Sequence, residues 1–168
     1  MTPTVVALVL EAWRDLDRVL EGLDAATATE QVGGQSAFGW TLAHVTNQVD
    51  SWINVNFQGR PPHPLISAPE FRAGSAGAAL DWDAIRAAVD EVRRTARPYL
   101  EGLTEHDLER IVPYTGALLP LREHGLRLRY ALVRIAAHHY FHIGVAACQR
   151  DRLGHSVGDY PGLLAGCL

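Results

Sequence analysis

His138 and His142 bracket the run His138-His139-Tyr140-Phe141-His142 and recur at helical period with Ala131, Ile135, Val145 and Gln149, at spacings of 4, 3, 4, 3 and 4. That rhythm marks the inward seam of a bundle helix, so both imidazoles point the same way, one turn apart. Two imidazoles in an apolar seam cost free energy unless their nitrogens find partners. One divalent metal ion can partner both, because neutral imidazole is a favoured ligand and an i, i+4 pair is a recurrent ligand spacing. Two core histidines bonded separately to side chains or water satisfy the same pattern, and this helix alone does not decide between them.

A third imidazole lies upstream. His44 sits on the edge of a broad apolar face made by Leu42, Val45, Val49 and Trp52, with Gln48 one turn later beside it. Taken singly it reads as a packed or half-exposed residue; on a helix neighbouring His138 and His142 it completes a trio. Three neutral imidazoles leave a divalent ion its full charge and open coordination positions, as in catalytic rather than closed structural sites. Zn, Ni, Fe, Co and Mn all accept imidazole, so the residues do not choose a metal. Cys148 shares the helix but points roughly 80° away from His138, and reads as a small buried apolar residue rather than a ligand. His139, about 100° round from His138, reads as a support behind the ligands or a surface residue. His63, His106, His124 and His155 fall in irregular segments and read as solvated.

The elements that carry these residues follow from the chain in order. Pro3 suits the first position of a helix, and Val6, Val9, Trp13, Leu16, Leu20 and Leu23 follow at spacings of 3, 4, 3, 4 and 3, ending near Gly22. Thr27 to Gln35 is a polar connection. A second helix begins after Ser36 and runs to about Phe57, where Gly59 and Pro61-Pro62 stop it. Arg60 to Leu80 has no period and is rich in Pro, Gly, Ser and Ala. A segment of that length is long enough to cross the bundle from end to end and let the second and third helices run parallel.

Asp81 is a good N-cap for the third helix, in which Trp82, Ile85, Val89, Val92, Ala96, Tyr99 and Leu103 form the seam. Pro98 should kink its last turn, and Arg86, Asp90 and Arg94 read as ordinary solvated i, i+4 pairs. Thr104-Glu105-His106-Asp107 reads as a capped short helix. Ile111 to Leu128 allows a brief extended pair. The fourth helix starts between Leu126 and Arg129 and ends near Arg152, with Gly154 beyond it. The tail from His155, with Tyr160-Pro161-Gly162, should fold back on the bundle.

The expected architecture is therefore all-α, four helices in one domain over residues 1–168. At 48% hydrophobic and 20% charged, the composition suits a soluble domain with a core of its own. A net charge of -4 without any basic stripe argues against a nucleic-acid partner. All fifteen cationic residues are arginine, which rules out Schiff-base chemistry on a lysine. Two cysteines, Cys148 and Cys167, give no disulfide framework. The apolar run Val5 to Leu10 lacks a basic segment before it and is too short to span a membrane, so the protein reads as cytoplasmic with no membrane partner.

The order of elements, His44 within Thr41-Leu42-Ala43-His44-Val45, and His-His-Tyr-Phe-His-Ile-Gly followed by Arg152-Leu153-Gly154 and Tyr160-Pro161-Gly162 together resemble the DinB/YfiT-like metalloenzymes. The resemblance covers nearly the whole chain. It implies a four-helix bundle of up-down-down-up topology with a long crossover between the second and third helices, metal ligation by His44, His138 and His142, and a homodimer. Many relatives have an acidic or amide residue after the Ile-Gly where this chain has Val145, which implies that a polar support to the metal is missing here.

The best-understood members of that family use the metal to activate a low-molecular-weight thiol for transfer or isomerisation. The resemblance thus implies a metal-dependent thiol S-transferase of detoxifying or stress-related role, acting on a small molecule, with the thiol as cofactor. Gln48 and Arg134, each one turn from a ligand, are placed to bind an anionic substrate; a packing amide and a solvated arginine are the competing readings. A metal-hydroxide hydrolase would want a general base, and no Asp or Glu shares the His44 or His138 faces. A non-enzymatic metal- or ligand-binding protein is the remaining alternative.

Overall fold

The computed structural model describes residues 2–79 and 81–168, so Leu80, the last residue of the expected crossover, lies outside the described residues. The chain is mostly helical, as the periodicity predicts. Four long elements dominate. Helix α1 is Thr4–Leu20, with Pro3 in the cap position rather than the first turn. Helix α2 is Phe38–Val49 and widens without a break into π-helical turns over Asp50–Phe57. Helix α3 is Trp82–Glu101, opened by Asp81, whose carboxylate accepts the Ala84 N–H at 2.9 Å. Helix α4 is Leu128–Arg152. Helix α1 packs along α4, while α2 lies against both α3 and α4. Their inward faces meet in a core built around Trp13 and Leu16 of α1, Phe38 and Ile53 of α2, Ile85 and Leu100 of α3, and Leu128, Leu132 and Ile135 of α4.

The seam of α4 is rotated from the expected one. Ala131, Ile135 and Gln149 of the expected seam are buried, but so are Leu132, Ala136, His139, Ile143 and Ala146, while His138, His142 and Val145 are only half-buried on the flank. Leucine and alanine on one side of Ile135 complete a face as apolar as the expected one, so the sequence sets the period but not its phase. His139 is consequently neither a surface residue nor grouped with the other rings. It is fully buried, and its Nδ1–H donates to the Ile135 carbonyl at 2.8 Å. Cys148, expected inside, is exposed on the outer side of the helix.

The connections carry more structure than their composition suggests. Ala25–Thr29 is a short helix capped by Asp24. Thr104 and Asp107 cap each other by reciprocal bonds and open one 3-10 turn over Asp107–Glu109, the capped short helix expected there. Ile111–Val112 pairs antiparallel with Leu126–Arg127, the brief extended pair expected there. Helix α3 continues through Pro98 to Glu101. Among the described residues Asp90 forms no ion pair with Arg86 or Arg94; Arg86 lies instead over the Trp82 ring at 5.7 Å. The tail does fold back: the Gly162 N–H donates to Asp15 at 2.9 Å, the Gly166 N–H to Glu11 at 2.8 Å, and Arg18 sits over the Tyr160 ring at 4.2 Å.

Between α2 and α3 the crossover has one 3-10 turn, Pro69–Phe71, and simple turns at 64–67 and 73–74, with no longer element among its described residues. It is fastened to α2 along its length. Asp50 accepts the His63 N–H at 2.8 Å, Asn47 donates to the Ile66 carbonyl at 2.7 Å, and Trp40 donates to the Glu70 carbonyl at 2.7 Å. His63, expected to be solvated, is half-buried here, accepting the Ile66 N–H at 3.3 Å and reaching Glu91 at 3.1 Å. His106, His124 and His155 are exposed, as expected.

Candidate metal centre

His44 projects from α2 where the crossover passes over it. Its Nδ1–H donates to the Phe71 carbonyl at 2.7 Å, which fixes the tautomer and leaves Nε2 bare. The ring lies flat on Trp40, one turn earlier, with centroids 4.4 Å apart and planes 10° from parallel. Trp40 is in turn held by its indole N–H, which donates to the Glu70 carbonyl at 2.7 Å and to Ser75 at 2.9 Å. The orientation of His44 is therefore set by the crossover, through one direct bond and one stacked neighbour.

From α4, His138 and His142 turn their Nε2 atoms toward each other at 3.1 Å. Two bonds of 2.0–2.1 Å to one tetrahedral ion would place such nitrogens roughly 3.3 Å apart. Ligand atoms of His44, His138 and His142 all lie within 4.8 Å of one another, so the three could hold a metal ion. The ring centroids are 4.9 Å apart for His44 and His138 and 5.0 Å for His44 and His142, both edge-on.

Electrostatics favours the ligating form. Burial pulls the His44 imidazole below its usual range, against the opposing pull of its bond to Phe71. Burial, then the neighbouring His44 and Arg134, brings His138 down to about 4. Burial, then His138 and His44, brings His142 down to about 3. All three are neutral at neutral pH, each with a lone pair to give. His139 is also held down to about 3, chiefly by burial, but its ring faces the core and takes no part. The donor set is thus three converging neutral nitrogens without a carboxylate, which suits a borderline divalent ion such as zinc better than calcium or magnesium.

Beside the trio lies a groove of about 800 Å³ whose walls include His44, His138, Gln48, Arg134, Trp52 and Tyr114. Both residues expected to bind substrate line it. Gln48 is half-buried, and its Oε1 is buried without a hydrogen-bond partner; Arg134 is exposed. Trp52 and Tyr114 meet edge-on at 6.2 Å and form an aromatic wall. One further arginine and a loop could not be placed by sequence reasoning: Arg72, from the crossover, also lines the groove, as do Gly116 and Leu118 from the segment before α4. The stacking of Trp40 on His44 was legible in principle, since the two are one turn apart on the same face; its bonds to the crossover were not.

The sequence profile of the DinB superfamily matches residues 8–146. The chain belongs to the DinB superfamily. The matched span includes all three histidines of the trio and ends just beyond Val145, before the Arg152-Leu153-Gly154 and Tyr160-Pro161-Gly162 stretches. No curated protein matches the chain. Among the described residues of this DinB superfamily member, no helix is long and apolar enough to cross a membrane.

Proposed function

We propose that this protein is a metal-dependent enzyme in which His44, His138 and His142 hold one divalent ion, and that it transfers a low-molecular-weight thiol to an electrophilic small molecule. The observation that carries the reading is the convergence of three neutral ring nitrogens at the edge of a groove of ligand-binding size. A divalent ion held there supplies one thing: it lowers the pKa of a thiol bound to it, so that the thiol is presented as its thiolate. The chain's own residues do the rest. Gln48 and Arg134 line the groove, and the exposed Arg134 offers a guanidinium to an anionic group. Trp52 and Tyr114 shield one side of the groove from water.

The hydrolase alternative is weaker, because among the described residues lining the groove there is no Asp or Glu to act as general base. We read the four long helices as one domain, a bundle of up-down-down-up topology with the crossover joining α2 to α3. The packing of α1 on α4 and of α2 on α3 supports that arrangement.

Incubating the metal-loaded protein with a bacterial low-molecular-weight thiol and monochlorobimane should yield the conjugate, and His138→Ala should abolish it. Conjugation that persists in His138→Ala would overturn the metal-thiolate reading. Metal binding without any conjugate would instead favour a ligand-binding protein.

A further inference from the structure

The histidine groove carries a charge pattern that the trio alone does not account for. Two arginines line it from different elements, Arg72 from the crossover and Arg134 from α4, and both are exposed. Each adjoins the scaffold of the trio. Arg72 follows Phe71, whose carbonyl holds His44, and Arg134 lies one turn before His138. Among the described residues neither arginine forms an ion pair; Arg72 has only a long bond of 3.4 Å to the Ser67 carbonyl. No Asp or Glu is among the described residues lining the groove, whose other polar walls are neutral at Asn47, Gln48, Ser51 and Ser67. Elsewhere arginines are matched, Arg93 by Asp17 and Arg129 by Glu105 and Glu109. In a chain of net charge -4, this groove is therefore locally positive even before a cation joins it.

That pattern restricts what can sit on the ion. A neutral thiol would leave both guanidiniums to water. A thiol bearing an ammonium group would add positive charge to walls that hold no carboxylate to receive it. An anionic group beside each guanidinium gains a charge-assisted hydrogen bond, for which the planar arginine fork is well shaped. We propose that the thiol accepted by this groove carries two anionic groups and no cationic one, Arg72 taking one of them and Arg134 the other. The inference rests on the metal-thiolate reading given above, and it makes these two arginines the residues that set which thiol is accepted. Both side chains are exposed, so removing either charge leaves the core and the three histidines in place.

The test uses mercaptosuccinate, a thiol with a carboxylate on either side of its sulfur, and its uncharged dimethyl ester. Each is titrated into the full-length, cobalt(II)-loaded protein, in which a metal-bound thiolate gives a sulfur-to-cobalt charge-transfer band. Mercaptosuccinate should half-saturate that band at a concentration about twentyfold lower than the ester. Arg72→Gln and Arg134→Gln should each weaken mercaptosuccinate about fivefold, as loss of one exposed charge pair does, and leave the ester titration unchanged. Succinate, which has no sulfur, should bind the metal-free protein in calorimetry and bind each variant more weakly. Equal half-saturation by the two thiols, or unchanged mercaptosuccinate binding in either variant, would overturn the proposal and leave the metal-thiolate reading standing. No band with either thiol, with succinate still bound through both arginines, would support the dianion site and overturn the thiolate. No band and no succinate binding would overturn both.

Discussion

The three rings of the trio are held unequally, and that inequality has consequences. His44 is oriented from two directions, by the Phe71 carbonyl and by the stacked Trp40. His138 has no such anchor: its Nδ1 is buried with no hydrogen-bond partner. Groups that orient a ligand contribute about 10–100-fold to metal affinity. Trp40→Ala should therefore weaken metal binding by about that factor while preserving helical content, as read by competition with a chromogenic chelator; unchanged affinity would show that the stack does not position His44. The same rings make stability depend on pH. His138 and His142 titrate in the folded chain at about 4 and about 3, against 6.5 in the unfolded chain. Below 6.5 the unfolded chain takes up protons that the folded chain refuses, so stability without metal is full above that pH and falls as pH drops toward 4. Denaturant midpoints at pH 7.5 and pH 5 should show the loss, and it should shrink in His138→Ala/His142→Ala; an equal loss in that variant would mean other groups carry it. At this scale the sequence was most informative about the ligand trio itself, because residue type and an i, i+4 spacing are enough to mark it. It could not show that His139 is buried, since four consecutive positions of α4 offer two equally apolar faces.

At the scale of elements, the crossover is the part that composition describes least well. Its Pro, Gly and Ser content reads as a spacer, yet it supplies the carbonyls that fix His44, Trp40 and Asn47. Backbone carbonyls have no signature in a sequence, so bonds to them become visible only when the segment's path is known. The π-helical turns of Asp50–Phe57 are hidden for the same reason: an extra residue per turn shifts which side chains face inward, and nothing in the residue types announces it. These turns bring Asp50 under the crossover, where it accepts the His63 N–H. Gly77 shows how closely the crossover is fitted. Its φ is +72°, its carbonyl accepts the Ala37 N–H at 2.8 Å, and a Cβ there would lie 2.5 Å from the Ser36 hydroxyl. Gly77→Ala should destabilise the fold by about 1–2 kcal/mol through the left-handed backbone alone, and more if Ser36 cannot yield. Equilibrium unfolding in urea measures this, and a change below a few tenths of a kcal/mol would mean that the crossover end adapts freely.

For the molecule as a whole, the helical periods, the N-cap at Asp81, the extended pair and the returning tail were all legible, because each rests on local rules of spacing or turn chemistry. What the tail returns to was not: Asp15 and Glu11 are acidic residues of α1 that the amphipathic pattern assigns to no partner, and they are buried because Gly162 and Gly166 bring backbone N–H groups to them. The groove beside the histidine trio likewise follows from packing rather than from any motif. The functional reading reduces to one physical statement, that nitrogens from α2 and α4 share a single cation. Elemental analysis of the protein reconstituted with a divalent metal and freed of excess tests it most directly. The account predicts close to one ion per chain, lost in His138→Ala without loss of helical content; no ion after reconstitution, or the same content in that variant, would contradict it.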